Sequence, residues 1–257
     1  NVIKFNLQLP YDRKYVMSQM SDDFDPHLEI AEEGGLLTTS EVHFFKIKKG
    51  GFPIEKYPLT DELKKLLELG DADQKEKIKW ISEVRGKGKG TNYSCQYGAG
   101  ASTVARTAGV DLSIGKALVK AYKKVNWSIP KIASSQKRKK VSHGEYQLNP
   151  FNNIWYHLKS EKDGFSTLVQ GTGSYVLDCW LKYQFKIRDG GDYDLGDQGL
   201  KLLATAHDEE ICELSIGCED NAKKLVQDSL NMVNKAFKLE IPFGCDIQLG
   251  SDYSCIH

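Results

Sequence analysis

The stretch Arg85 to Gly98, RGKGKGTNYSCQYG, decides how the rest of the chain is read. Its glycines and lysines invite comparison with a phosphate loop. That loop requires G-x-x-x-x-G-K-[ST], and no register of these residues supplies it. A dinucleotide fingerprint requires G-x-G-x-x-G directly after a strand, and neither condition is met. By composition alone the stretch is a solvated basic loop. Spacing points elsewhere: Arg85, Lys89, Tyr93 and Tyr97 recur every four residues, so in a helix they form one slowly rotating stripe. Two cations followed by two aromatic rings suit a nucleoside triphosphate, with the cations toward phosphate oxygens and a ring toward sugar and base. Gly86, Gly88 and Gly90 each weaken such a helix by about 1 kcal/mol relative to alanine. Tertiary packing or substrate must therefore hold it.

Working outward, 257 residues suffice for one large domain or two smaller lobes. Lys+Arg and Asp+Glu both number 35, so net charge exerts no global pull on nucleic acid. A nucleic-acid surface then requires local segregation of charge. Segregation is present: Lys116 to Lys140 is strongly basic, whereas Asp189 to Asp197 and Glu209 to Asp220 are acidic. The six cysteines (Cys95, Cys179, Cys212, Cys218, Cys245, Cys255) include no C-x-x-C pair and no neighbouring histidines that complete a zinc set. Scattered reduced thiols are expected. No apolar run approaches the ~18 residues of a membrane span, and no secretory signal is read. A soluble, cytoplasmic protein without membrane contact is expected.

Helical spacing and capping residues place a helix from His27, ended by Gly34-Gly35. A second is capped by Thr38 or Thr39, with Glu41 in its first turn and Gly50-Gly51 at its end. Thr60 caps a third over Asp61 to Leu69, and a fourth runs over Lys116 to Val125. Gln147 to Lys159 reads as a pair of short strands, and Thr167 to Ile187 as a long, largely buried helix. Leu202 to Ile216 reads as two strands meeting at His207-Asp208, with Cys212, Leu214 and Ile216 alternating against Ile211, Glu213 and Ser215. Asn221 to Phe237 returns to helical spacing, and Asp246 to Leu249 reads as a last strand. The order predicts an α+β protein with a helical lobe and an antiparallel-sheet lobe.

Here a resemblance enters. The pattern R-x-x-x-K-x-x-x-[FY]-x-x-x-Y-G, matched by Arg85, Lys89, Tyr93, Tyr97 and Gly98, resembles motif B of the family A (polymerase I-type) DNA polymerases. The resemblance implies that Arg85 and Lys89 grip the triphosphate of an incoming dNTP. Tyr93 would lie against its sugar and Tyr97 near the templating base. Tyrosine at position 93 resembles members that accept dideoxynucleotides readily. The continuation GAGASTVARTAGV, Gly98 to Val110, resembles the phage-type branch. A phage-encoded enzyme would work in the host cytoplasm.

Ala206-His207-Asp208-Glu209 adds a second match. Adjacent carboxylates where two strands meet suit a hard cation such as Mg2+, which prefers oxygen ligands; a solvated hairpin tip is the plainer reading. The sequence is similar to the family's motif C, which implies a metal-binding Asp208, an acidic neighbour Glu209 and His207 beside the primer end. Catalysis would then fall to Asp208, Glu209 and Lys89. Gln170-Gly171-Thr172 is similar to a family segment whose glutamine contacts primer–template DNA in the minor groove. Lys162 stands where many relatives carry arginine, and Ser166 where many carry asparagine. A terminal histidine like His257 commonly folds back toward the active site in this family.

The resemblance covers roughly Asp22 to His257 and implies a helical fingers subdomain over residues 26–148 and a palm over 149–257. Residues 1–25 would follow a missing element. That element is motif A, D-x-S-x-x-E-x-R, which supplies the second metal-binding aspartate in a two-metal phosphoryl transfer. Asp12, Asp22, Asp23 and Asp25 lack its S-x-x-E partners. The segment DDFDPHLEIA, Asp22 to Ala31, instead resembles one that follows motif A in phage polymerases. The expectation is a divided active site, completed by an N-terminal fragment or subunit carrying motif A and the thumb. The isolated chain would then be inactive. Two rivals are a non-catalytic nucleic-acid-binding module derived from a polymerase, and an RNA polymerase of the related single-subunit fold.

Overall fold

The computed structural model of the protein describes residues 1–206 and 209–256. Among them the chain is α+β, with ten α-helices and two small antiparallel sheets. In chain order, eight helices come first: α1 (Val2–Ser18), α2 (Pro26–Glu33), α3 (Thr39–Lys48), α4 (Asp61–Leu67), α5 (Asp71–Gln96), α6 (Ala101–Ala108), α7 (Leu112–Val125) and α8 (Ser128–Ser135). Strands β1 (Arg138–Val141), β2 (Gly144–Asn149) and β3 (Ile154–Leu158) follow. The chain continues through α9 (Gly164–Asp189), β4 (Leu200–Ala206), β5 (Glu209–Leu214) and α10 (Glu219–Phe237).

Local chemistry explains where the early helices begin. Asp25 accepts hydrogen bonds from the His27 and Leu28 N–H groups at the start of α2, and Pro26 occupies its first turn. Thr38 and Glu41 form a reciprocal capping box on α3. Thr60 caps α4 through the Leu63 N–H. Helix α1 is interrupted at Asp12 (φ −146°, ψ 66°), two residues after Pro10. The Asp12 carboxylate accepts from the Tyr15 N–H and restarts the helix.

Two compact units emerge. The first comprises residues 8–135 and 159–166. Its core gathers Leu28 and Ala31 of α2, Val42, Phe44 and Phe45 of α3, Leu63 of α4, and Ile81 and Val84 of α5. Phe44, Leu63 and Ile81 are fully buried, each contributing about 1.5–3 kcal/mol.

The second unit comprises residues 1–7, 136–158 and the described residues from Thr167 onward. In it β1, β2 and β3 form an antiparallel meander, with Lys139 opposite Tyr146 and Tyr146 opposite His157. One face of the meander packs on α9: Asn149 donates to the Thr172 hydroxyl, and Tyr156 lies on Gly171. Strands β4 and β5 pair antiparallel, with an irregularity between Leu202 and Ala204. Leu195, Leu200, Ala222 and Leu225 form a core beneath this hairpin and α10, joined by Ile187 of α9.

Several expectations need correction. Residues 246–249 form no strand; Ile247 and Leu249 are exposed, and Gly244 and Gly250 bracket the segment. Ile216 lies beyond β5 and is 99% exposed, so the alternation ends at Leu214. Helix α9 is half-buried along most of its length, with only scattered positions such as Leu168, Thr172 and Val176 buried. The strand pair expected over Gln147 to Lys159 is two strands of a three-stranded sheet, because the basic run at 138–141 is itself a strand.

Candidate active site

Arg85, Lys89, Tyr93 and Tyr97 follow one another along the last turns of α5, Tyr97 being the residue that caps it. Its three glycines differ in surroundings. A Cβ on Gly88 would stand 2.1 Å from the His27 carbonyl oxygen, so this glycine lets the start of α2 press against α5. Gly90 faces Thr107 of α6, whereas nothing lies within 4 Å of a Cβ on Gly86. Packing therefore holds the helix, as its low intrinsic propensity requires. The helix stops at Gly98, whose φ of +74° is the left-handed conformation that favours glycine.

The start of α2 is pinned to α5 beside the stripe by three polar contacts. Asp25 accepts from the Arg85 Nε–H at 2.5 Å. Asn92 donates to the Pro26 carbonyl at 2.7 Å, and its amide lies 3.2 Å from His27 Nδ1. The His27 ring is 6.1 Å from the Tyr93 ring. Beyond these contacts the stripe faces outward: Tyr93 and Tyr97 are 53% and 52% exposed. The Lys89 ammonium stands 6.0 Å from the centre of the Tyr93 ring.

Electrostatics follow from this packing. Burial works to raise the Asp25 pKa, but the Arg85 hydrogen bond and the Leu28 and His27 N–H groups outweigh it and hold the carboxyl below its ordinary value. Burial pushes His27 below the usual imidazole range; Asp25 opposes that shift, and Arg85 and Lys89 add to it. The surface thus presents an anchored guanidinium, an exposed ammonium, a neutral imidazole and two rings.

Of the other predicted residues, Lys162 meets Gly98: a Cβ on Gly98 would lie 3.2–3.3 Å from the Lys162 stem. The lysine is thereby placed at the C-terminus of α5. Gln170 is exposed on α9. Its two neighbours have structural duties: Gly171 makes room for the Tyr156 ring, and Thr172 is buried and bonded to Asn149.

Asp208, His207 and His257 lie outside the described residues. Beside them Glu209 opens β5, exposed and opposite Ala206. Glu210 turns inward: Gln184 donates to one of its oxygens, and the other, buried, has no hydrogen-bond partner among the described residues. Burial lifts the Glu210 pKa, with Gln184 opposing. An exposed carboxylate suits Mg2+, whereas an inward carboxyl that resists ionisation does not. No group of three or more His, Cys, Asp or Glu among the described residues could hold a metal by itself. The six cysteines are free thiols, and burial raises Cys95 and Cys212 to about 11. No described helix is long and apolar enough to cross a membrane.

Sequence reasoning missed Asp25, His27 and Asn92 as parts of this surface. An aspartate followed by proline just before an apolar run is an N-cap signal, so the role of Asp25 in α2 was legible. Its bond to Arg85, sixty residues away, was not.

No protein-family model matches the chain. Over 171 residues, 62% of its length, it is 26% identical to the DNA polymerase I of Helicobacter pylori, and it spans 18% of that protein. The chain is thus distantly similar to a DNA polymerase I.

Proposed function

We propose that this chain is the fingers and most of the palm of a template-directed DNA polymerase, adding deoxynucleotides to a primer 3′-hydroxyl. The observation that carries the reading is the outward stripe of Arg85, Lys89, Tyr93 and Tyr97 on a helix ended by a left-handed glycine. The distant similarity to a DNA polymerase I supports it. The phage-type branch stays part of the proposal.

Each residue has a task that its chemistry suits. Arg85, oriented through its Nε by Asp25, offers its terminal nitrogens to phosphate oxygens. Lys89 adds a mobile point charge and offsets negative charge on the departing pyrophosphate. Tyr93 and Tyr97 provide flat apolar surfaces for sugar and base. Gln170, Lys162, His207 and His257 contact primer–template DNA. Asp208, with Glu209 beside it, would hold Mg2+, which when bound supplies charge neutralisation to the reacting phosphate and hydroxyl. A second aspartate, from a motif A segment on a preceding or separate polypeptide that also carries the thumb, completes the site.

The test is reconstitution. The chain is mixed with a fragment bearing D-x-S-x-x-E-x-R and a thumb, and primer extension is followed with Mg2+ and dNTPs. Extension is expected, with Asp208→Ala abolishing it. Arg85→Ala should raise KM for dNTP about tenfold or more, as expected for a lost charge-assisted hydrogen bond. Extension that survives Asp208→Ala overturns the metal role. Absence of extension with every motif A fragment favours a non-catalytic nucleic-acid-binding module, and preference for ribonucleotides favours the RNA polymerase reading.

A further inference from the structure

The solvent face of the β1–β2–β3 meander is used by nothing described so far. Side chains alternate across a strand. Tyr156, Asn149 and Leu158 turn toward α9 or into the interior, so Lys139, Tyr146, Trp155 and His157 share the opposite face. Their contacts confirm the grouping. The Lys139 ammonium sits 4.3 Å from the centre of the Trp155 ring and 5.7 Å from that of Tyr146. Tyr146 meets His157 edge-on at 5.2 Å. Tyr146 and Trp155 are only half-buried, and His157 is exposed. A Cβ on Gly144 would stand 2.4 Å from His157 Nε2, so this glycine gives the imidazole its place.

The rim of this face is basic. Lys137, Arg138, Lys139 and Lys140 are consecutive and the three lysines are exposed; Lys137 and Lys139 belong to this face, whereas Lys140, opposite Glu145, turns to the other. The one acidic residue within the meander strands, Glu145, is paired with Arg138 at 3.4 Å. Aromatic faces beside an uncompensated row of lysines match one class of ligand especially well. An unpaired nucleic-acid strand presents flat bases to the rings and phosphates to the ammonium groups. An acidic peptide would use the lysines and leave the rings idle. A duplex hides its base faces within the stack.

We infer that this sheet face is a binding platform for single-stranded DNA, with Trp155 and Tyr146 stacking on bases and Lys137 and Lys139 meeting the backbone. A phosphate draws Lys139 off the indole and opens the ring to a base. The platform belongs to the second compact unit and does not depend on nucleotidyl transfer.

The test uses the full chain and a fluorescein-labelled oligothymidylate, followed by anisotropy. Trp155→Leu and Tyr146→Leu should each weaken binding about fivefold or more, the usual cost of losing one stacked base. An abasic strand of equal length should bind more weakly and ignore both substitutions. Trp155→Phe keeps a ring and should keep most of the affinity, while losing the indole quenching that accompanies binding. Lys64→Ala combined with Lys65→Ala, two exposed lysines of α4, should leave oligothymidylate binding unchanged. The proposal is overturned by unchanged affinity in folded Trp155→Leu, or by oligothymidylate binding to wild type without quenching. A loss of duplex affinity in Trp155→Leu as large as its loss of oligothymidylate affinity, or ready displacement of the strand by polyglutamate, overturns it as well.

Discussion

Asp25 does two jobs with one carboxylate: it caps α2 and fixes Arg85 on α5. Its pKa is depressed in the fold, so the sign of its pH effect is determined. The stabilisation is present above the unfolded pKa of about 4 and is lost as pH falls through the lower folded value. Asp23 acts in the same direction, held down by its hydrogen bond to Lys56 and then by Ser21. Thermal melts should therefore show Asp25→Asn below wild type at pH 7, with the two curves approaching each other under pH 4. A constant gap between the variants down to low pH would refute the ionic contribution. Such residues mark where sequence reading stops. Thr38 and Thr60 were legible as caps because their partners lie three residues away. The Asp25–Arg85 pair is a product of tertiary packing, and no local pattern encodes it.

The glycines of α5 carry opposite predictions within one element. Gly86→Ala places a methyl in open space and replaces the residue most costly to a helix after proline, so stability should rise by up to about 1 kcal/mol. Gly88→Ala drives a methyl into the backbone of His27, which cannot rotate away, and should cost about 1–3 kcal/mol. Denaturant midpoints of the two variants against wild type decide the matter; equal shifts would mean that α2 does not rest on Gly88. Element legibility follows the same logic. Helix α5 was visible through the spacing of its functional stripe, despite a propensity that argues for a loop. The short helices α6 and α8 went unassigned; α6 opens on Gly100, without a side-chain cap like the Thr60 that marked the equally short α4. Strand β1, Arg-Lys-Lys-Val, reads as a charged run, and only its pairing with β2 reveals it. Residues 246–249 show the converse: alternation that pairs with no strand forms none.

At the scale of the whole molecule, balanced charge conceals a local preference. Equal numbers of acidic and basic residues exclude a general attraction to DNA, so any salt dependence must come from a bounded patch. The lysines of the meander edge define its expected size. Each phosphate neutralised on a single strand contributes about −0.7 to the slope of log K against log salt, so Lys137 and Lys139 together predict about −1.4. Removing Lys137 by Lys137→Ala should bring the slope near −0.7, the share of the remaining lysine. Trp155→Leu should lower affinity at every salt concentration with the slope unchanged, because stacking releases no counterions. A slope near zero in wild type would remove the backbone contacts from the platform. A slope that falls with Trp155→Leu would mean that the ring orders the lysines instead of meeting a base.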